Sequence, residues 1–170
     1  MRRSVDTTVL SVSDSKSMVQ VRFHLVPDAQ ARTSVESEGL WASDLGDGTF
    51  RLANVPWFVT GVAFDDIVEA ETGADGRLWV TRVRQWSGRN VVRVSLNVQG
   101  DPDAVVEHVG TEFTNLGVDA EGMGPPSWML ALDIPAEADL GAIKSLLRAG
   151  AEAGRWTFEE ACVGARWDDL

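Results

Sequence analysis

The side chains most able to do chemistry cluster between positions 77 and 93: Arg77, Trp79, Arg82, Arg84, Trp86, Arg89 and Arg93. On the two-residue period of a strand, Arg82, Arg84 and Trp86 share a face. Guanidinium forks and an indole surface together could hold a planar anion, a carboxylate or a phosphate. The bland reading is that these arginines pair with acids on neighbouring strands, such as Glu69, Glu71 and Glu159, as structural ion pairs.

Other groups carry weaker signals. Asp65, Asp66, Glu69, Glu71 and the later Glu159-Glu160 could supply a base or ligate a hard cation, but they lack the alternating spacing of a calcium loop and read as a solvated strand edge. His24 and His108 have no second ligand at helical or loop spacing, so no metal is expected. Cys162, the one cysteine, lies between Ala161 and Val163 and reads as a small buried hydrophobe rather than a nucleophile. The glycines at 46, 48, 73 and 76 fall in hairpins, without the helix that a phosphate-binding loop needs. At the corner Asn54-Val55-Pro56-Trp57-Phe58, Trp57, or Trp41 nearby, either walls a pocket or plugs the core.

Composition narrows the classes. The 170 residues suffice for one sizeable core, and 44% hydrophobic with 24% charged residues is ordinary for a globular chain. A formal charge of −11 repels a nucleic-acid backbone and suits a basic partner steered by charge. No run approaches a membrane span, and Asp6, Asp14 and Lys16 interrupt any apolar signal segment after Arg2-Arg3. A single cysteine fits a reducing compartment, so the expected location is cytoplasmic, with no cofactor, no nucleic acid and no membrane as partner.

The elements that must position these residues follow from period and punctuation. Residues 1–16 read as a mobile leader. Val19, Val21, Phe23 and Leu25 alternate with polar residues, the mark of a half-buried strand. Pro27 to Thr33 interrupts, and extended structure resumes from Val35 to Asp44. Gly46-Asp47-Gly48-Thr49 turns the chain into Phe50-Arg51-Leu52. Ile67–Thr72 and Leu78–Gln85 form a hairpin about Gly73-Ala74-Asp75-Gly76, and Ser87-Gly88-Arg89-Asn90 leads into a strand at 91–98.

Asp101-Pro102 caps a helix with Val105, Val109, Phe113 and Leu116 on one stripe, ended by Gly117. Strands at 118–123 and 128–134 follow. Asp139 caps a second helix bearing Leu140, Ile143 and Leu147, and the last strand spans 156–163. The expected fold is thus α+β: N-terminal β hairpins (17–90) packed with a C-terminal ferredoxin-like βαββαβ unit (91–163), one module at 17–163 and a tail at 164–170.

Both helices would lie on the face carrying Val92, Val94, Leu130 and Leu132. The reverse face would present Arg93, Ser95, Asn97, Glu121, Asp133 and Glu159, a polar set that is solvated, mutually paired, or covered by the N-terminal strands. The expectation is that this face is left available.

Several pieces resemble a bacterial family known as domain-of-unknown-function family 4265. They are Glu36-Ser37-Glu38-Gly39-Leu40-Trp41-Ala42, Asn54-Val55-Pro56-Trp57-Phe58, Gly61-Val62-Ala63, Asp66-Ile67-Val68, Ser87-Gly88 with Val92-Arg93-Val94, and Trp156-Thr157-Phe158-Glu159-Glu160-Ala161. The resemblance spans roughly residues 18–163. It implies a bacterial origin and one continuous module, and it nominates no catalytic residue.

The resulting expectation is a non-catalytic module that binds a small anionic molecule or a protein partner. Arg82, Arg84, Trp86 and Arg93 would anchor the ligand, with Glu121 and Glu159 orienting them. Two alternatives stand beside it. One is a small cofactor-free enzyme with Glu121, Glu159 or Asp66 as base and an arginine stabilising negative charge. The other is an acidic protein of immunity or inhibitor type that engages a basic enzyme.

Overall fold

The computed structural model describes residues 17–26 and 36–170. The expected leader at 1–16 and the break at Pro27–Thr33 lie outside the described residues. The chain is α+β, with mostly antiparallel strands and three helices among the described residues.

Its first half is a five-stranded barrel in simple sequence order: β1 (Met18–His24), β2 (Ser37–Asp44), β3 (Thr49–Leu52), β4 (Ile67–Thr72) and β5 (Leu78–Gln85). Successive strands pair antiparallel, as the short turns between β2 and β3 and between β4 and β5 require. Parallel pairing of β1 with β5 closes the ring at two positions, Val21 with Leu78 and Arg22 with Trp79. The alternation of the sequence fills the interior with Val21, Phe23, Leu40, Ala42, Phe50, Leu52 and Val68. At the turn before β3, Gly46 and Gly48 both take left-handed backbone (φ +86° and +81°), open to glycine without steric cost.

The second half is a four-stranded sheet in the order β7-β8-β6-β9, made of β6 (Asn90–Leu96), β7 (Asp119–Met123), β8 (Met129–Ile134) and β9 (Trp156–Cys162). Helix α1 (Pro102–Thr114) is capped by the Asp101 carboxylate, which accepts from the Asp103 amide. In α2 (Leu140–Glu152), Asp139 accepts from Ala142 in the same way. Val109 and Phe113 of α1 join Ile143 and Leu147 of α2 in one core with Val92, Val94, Leu130 and Leu132. Both helices therefore pack on one face of the sheet. Gly150 permits this closeness, because a Cβ there would fall 1.8 Å from the Trp156 ring.

Two expectations are corrected. Residues 164–170, expected as a tail, contain a third helix, α3 (Ala165–Asp168), whose Trp167 is fully buried in the main core. Its indole donates to Glu160 at 2.7 Å, and Lys144 Nζ donates to its carbonyl, also at 2.7 Å.

The reverse face of the sheet is also not left wholly available: Arg93 and Asp133 are buried, whereas Asn97, Glu121 and Glu159 stay exposed. The connection at 53–66 lies over it, packing Val55, Ala63 and Trp57 against Val91, Ala131, Ala161 and Cys162. The alternation leaves Val91, Ala131, Ala161 and Cys162 off the helical face, small or apolar neighbours that favour a cover over open solvent, with Arg93 and Asp133 among them. Trp57 is a plug here, whereas Trp41 stays half exposed on the barrel.

Candidate functional site

The arginines of β5 share one carboxylate. Arg82 forms a two-pronged contact with Glu69, Nε to Oε2 at 2.6 Å and Nη2 to Oε1 at 2.7 Å, and Arg84 Nη1 reaches the same Oε1 at 2.8 Å. The register explains this. Thr81 and Arg84 are extra residues opposite β4, because the pairing shifts at Glu69/Ala70 and again at Ile67/Val68. The Arg82 hydrogen bond, with Arg84 behind it, holds the Glu69 carboxyl below the usual carboxylate range. Both guanidiniums remain more than half exposed, at 59% and 57%, and two apolar side chains stand exposed nearby, Val83 and Trp86.

Strand β5 also has an open side. It pairs with β4 as far as Gln85, but on its other flank, among the described residues, β1 accompanies it only to Trp79. At that point the His24 ring stacks on Trp79 with centroids 3.9 Å apart. Beyond it every residue from Thr81 to Gln85 is exposed.

The remaining expected residues sit elsewhere. Arg93 is only 3% exposed: its Nε and Nη2 meet Glu159 at 3.2 and 3.1 Å, and its Nη1 donates to the Val59 carbonyl at 3.1 Å. It is thereby bonded to the covering connection. Glu121 stands on the edge strand β7, where desolvation first, then Asp133 and Asp119, raises its carboxyl above the usual range. Trp86 bridges the two regions: exposed at one edge, it donates to the Arg89 carbonyl at 2.8 Å and packs so closely on Gly164 that a Cβ there would lie 2.2 Å from its ring. The six expected residues thus divide into an exposed group, Arg82, Arg84 and Trp86, and two separate placements, the Arg93–Glu159 pair and Glu121.

The junction under the connection is held by polar groups other than the expected anchors. Glu38 accepts three consecutive amides, Trp57 N at 2.6 Å, Phe58 N at 2.9 Å and Val59 N at 2.7 Å. Asn54 accepts from Trp41 N at 2.7 Å, and Asn90 from Gly164 N at 2.9 Å. Asp66, fully buried, accepts from Ala63 N at 2.9 Å and Ser87 N at 2.7 Å, yet desolvation outweighs both bonds and raises its carboxyl above the usual range. Burial, with Asp66 adding to it, pushes the Cys162 thiol up to about 11, which leaves it protonated and inert at neutral pH. Arg89 clamps Asp133 through Nε at 2.7 Å and Nη2 at 2.6 Å.

A signal for Glu38 was present in the sequence. It is in phase with Leu40 and Ala42 on β2, so a carboxylate points inward with them. Its amide partners carry no comparable mark.

Two open concavities flank these regions. One, about 210 Å³, lies where barrel meets sheet and is lined by Arg51, Asp65, Gln85, Ser87, Arg89 and Glu137. Asp65 at its rim has φ +65°, a left-handed conformation uncommon outside glycine. The other, about 600 Å³, lies between the start of α1 and the end of α2, beside His108, Asn97 and Arg155. Among the described residues, no three His, Cys, Asp or Glu side chains come together as metal ligands would. Nor is any described helix long and apolar enough to cross a membrane.

Comparison with known proteins gives a family and a shared fold. No functionally curated protein matches the sequence. A crystal structure of a hypothetical protein from Neisseria gonorrhoeae is similar in fold, with a TM-score of 0.64 at 22% identity, covering 88% of this chain and 96% of that one. The family described as Domain of unknown function (DUF4265) matches residues 38–158, which include Glu38, the covering connection, β5 and Arg93, and end one residue before Glu159. The chain belongs to that family.

Proposed function

We propose that the protein is a non-catalytic binding module whose docking surface is the outer side of β5, with Arg82, Arg84 and Trp86 as anchors and Val83 beside them. The observation that carries this reading is the sharing of Glu69 by two exposed arginines. Glu69 is the one carboxylate bonded to the two guanidiniums, with Asp47 near enough to Arg84 to feel its charge, so both arginines keep N–H donors that an incoming carboxylate can take on a chain whose net charge is −11. Exposed Val83 and Trp86 supply apolar area next to it. Arginine and tryptophan together favour a protein partner with a carboxylate-bearing surface.

Arg93, Glu121 and Glu159 have other work in this reading. Arg93 and Glu159 clamp the covering connection, and Glu121 belongs to a separate edge. The C-terminal half is read as a ferredoxin-like unit, supported by the strand order β7-β8-β6-β9 and the two helices on one face. It serves as a rigid platform for the barrel, in a protein of the cytoplasm.

The test is affinity capture from the source organism at moderate and high salt, with wild type and with the Arg82→Glu/Arg84→Glu double variant. The expected result is a set of retained proteins that weakens with salt and disappears with the charge reversal. If every retained protein is held equally by the variant, the reading is wrong.

A second reading has one specific observation behind it. The concavity of about 210 Å³ places Arg51 and Arg89 around a small opening. A small carboxylate or phosphate bound there would raise the unfolding temperature by mass action, and Arg51→Ala would abolish that rise while leaving capture on β5 intact.

A further inference from the structure

We infer that the free edge of β5 over Val80–Gln85 captures its partner by strand addition, and that the added segment is an acidic, extended stretch of another protein. This rests on the docking reading above and specifies how the surface is used. The first support is the backbone. A strand flanked on only one side presents unpaired amides and carbonyls on the other, and among the described residues β5 is flanked on both sides only at Leu78 and Trp79. The stack of His24 on Trp79 marks where barrel closure ends, so the open stretch begins at a defined place.

The second support is charge. Between Asp75 and Asp101 the sequence has five arginines and no Asp or Glu. Arg89 and Arg93 are bonded to Asp133 and Glu159 at the junction, and Arg77 lies near Asp75. Arg82 and Arg84 stand on the strand that carries the open edge and reach across its paired side to share the one Glu69 carboxylate of β4, so each keeps N–H donors unbonded. Charged side chains on an edge guard it against indiscriminate pairing. Arginine guards reject neutral apolar and basic strands, and they admit one whose alternate residues are acidic.

A second copy of this chain is a poorer occupant. In-register parallel pairing of β5 with itself sets Arg82 and Arg84 against their own equivalents, antiparallel pairing centred on Val83 sets Arg82 against Arg84, and like charges directly opposite are destabilising. A free small anion is also poorer, since it would use the guanidiniums and leave the backbone edge unpaired.

The test uses a synthetic octapeptide alternating glutamate with valine, titrated into the full chain. Binding is read by fluorescence anisotropy, and hydrogen exchange is followed at the amides of residues 80–85. The expected result is measurable binding with slowed exchange at those amides. Affinity should fall about tenfold or more when alternate peptide nitrogens are methylated, which keeps the charge and removes the ladder bonds. The lysine–valine counterpart should not bind, and Arg82→Glu/Arg84→Glu, with its fold verified by near-ultraviolet circular dichroism, should lose the glutamate peptide.

Equal binding of the methylated peptide, with loss in the arginine variant, would overturn strand addition while leaving the docking surface standing. Failure of the glutamate peptide to bind, binding that ignores the arginine reversal, slow exchange at residues 80–85 in the free protein, or self-association through β5 would each overturn the inference. Capture in the preceding experiment that is insensitive to the arginines would remove the docking reading itself.

Discussion

The outer side of β5 and the junction beneath the connection at 53–66 use the same residue types to opposite ends. On β5, Arg82 and Arg84 hold one carboxylate in solvent, and both remain more than half exposed. At the junction Arg93 also holds a carboxylate, but it is nearly inaccessible and spends its third donor on a backbone carbonyl. In water an ion pair contributes little to stability because solvent screens it and side-chain entropy opposes it. When buried, the same pair is costly to break, since the remaining partner cannot recover its hydration. Hence β5 can change partners at small cost, whereas the junction is part of the fold.

The sharpest way to break this comparison is to remove Glu38. Its carboxylate satisfies three amides at the turn that covers the sheet. Glu38→Ala should destabilise the protein by about 3–5 kcal/mol, the range for stripping a buried charge from its partners. Chemical denaturation gives the value, and a change below about 1 kcal/mol would show that the connection is held by packing alone. Next in size is Arg93→Met, which keeps the apolar stem and leaves the Val59 carbonyl without its donor. The expected loss is about 2 kcal/mol, because the abandoned Glu159 is 51% exposed and can return to water. The paired experiment sharpens the contrast: Arg82→Gln/Arg84→Gln should leave the denaturation midpoint at its wild-type value.

Trp86 belongs to both regions, so a smaller perturbation separates its two roles. Gly164 has an ordinary extended backbone (φ −101°), and its lack of a side chain admits the Trp86 ring. Gly164→Ala must therefore displace the ring or shift α3, at about 1–2 kcal/mol. The variant should move the tryptophan emission to longer wavelength as the indole gains solvent. Unchanged emission together with unchanged stability would mean that the close approach relaxes freely.

Most of the architecture was legible in the sequence, because the residues that punctuate it act locally. Asp101-Pro102 and Asp139 cap their helices where the apolar stripe begins, and both side chains make the expected amide bonds. Hairpin glycines at 46, 48 and 76 take the left-handed backbone that their turns require. Helix α3 was hidden for the complementary reason: it is four residues long and starts at Gly164, with no side-chain cap and only one buried residue to mark a face.

The candidate site was less legible. The arginine cluster reads as one constellation along the chain, but Arg93 lies on a strand of the second sheet, and only long-range pairing decides that it is buried. Two register shifts on β5 also break the simple alternation that places Arg82 and Arg84 on a shared face, and such shifts are set by the partner strand. The pieces that carry the family resemblance prove to be those that meet at the junction: Glu38 with Trp57 and Phe58, Asn54 with Trp41, Asp66 with Ser87, and Arg93 with Glu159. Their residue types suggested chemistry, and their bonding shows how the connection is fastened.

The smallest expected effect is a pH dependence at the junction whose sign is reversed at the carboxylate beside β5. Asp66 has its carboxyl raised above the ordinary value of 3.8 by burial, against two amide hydrogen bonds that favour the charged form. In the folded state it therefore holds its proton to higher pH than in the unfolded chain. Its contribution is fully present below about pH 3.8, the unfolded value, and is lost as pH rises through the folded value. Asp66→Asn removes this titration while keeping the shape. The stability of wild type relative to Asp66→Asn should then decline as pH rises from about 4 toward neutrality. Denaturation midpoints of the two proteins across that range measure the trend. A difference that grows with pH would mean that the amides outweigh burial and that Asp66 is stabilised as an anion. Glu69 should show the opposite sign, since Arg82 lowers its carboxyl, and its influence should fade with added salt as an exposed pair's must. Opposite signs and unequal salt sensitivity at two carboxylates would distinguish the buried fastening from the exposed docking surface without reference to any partner.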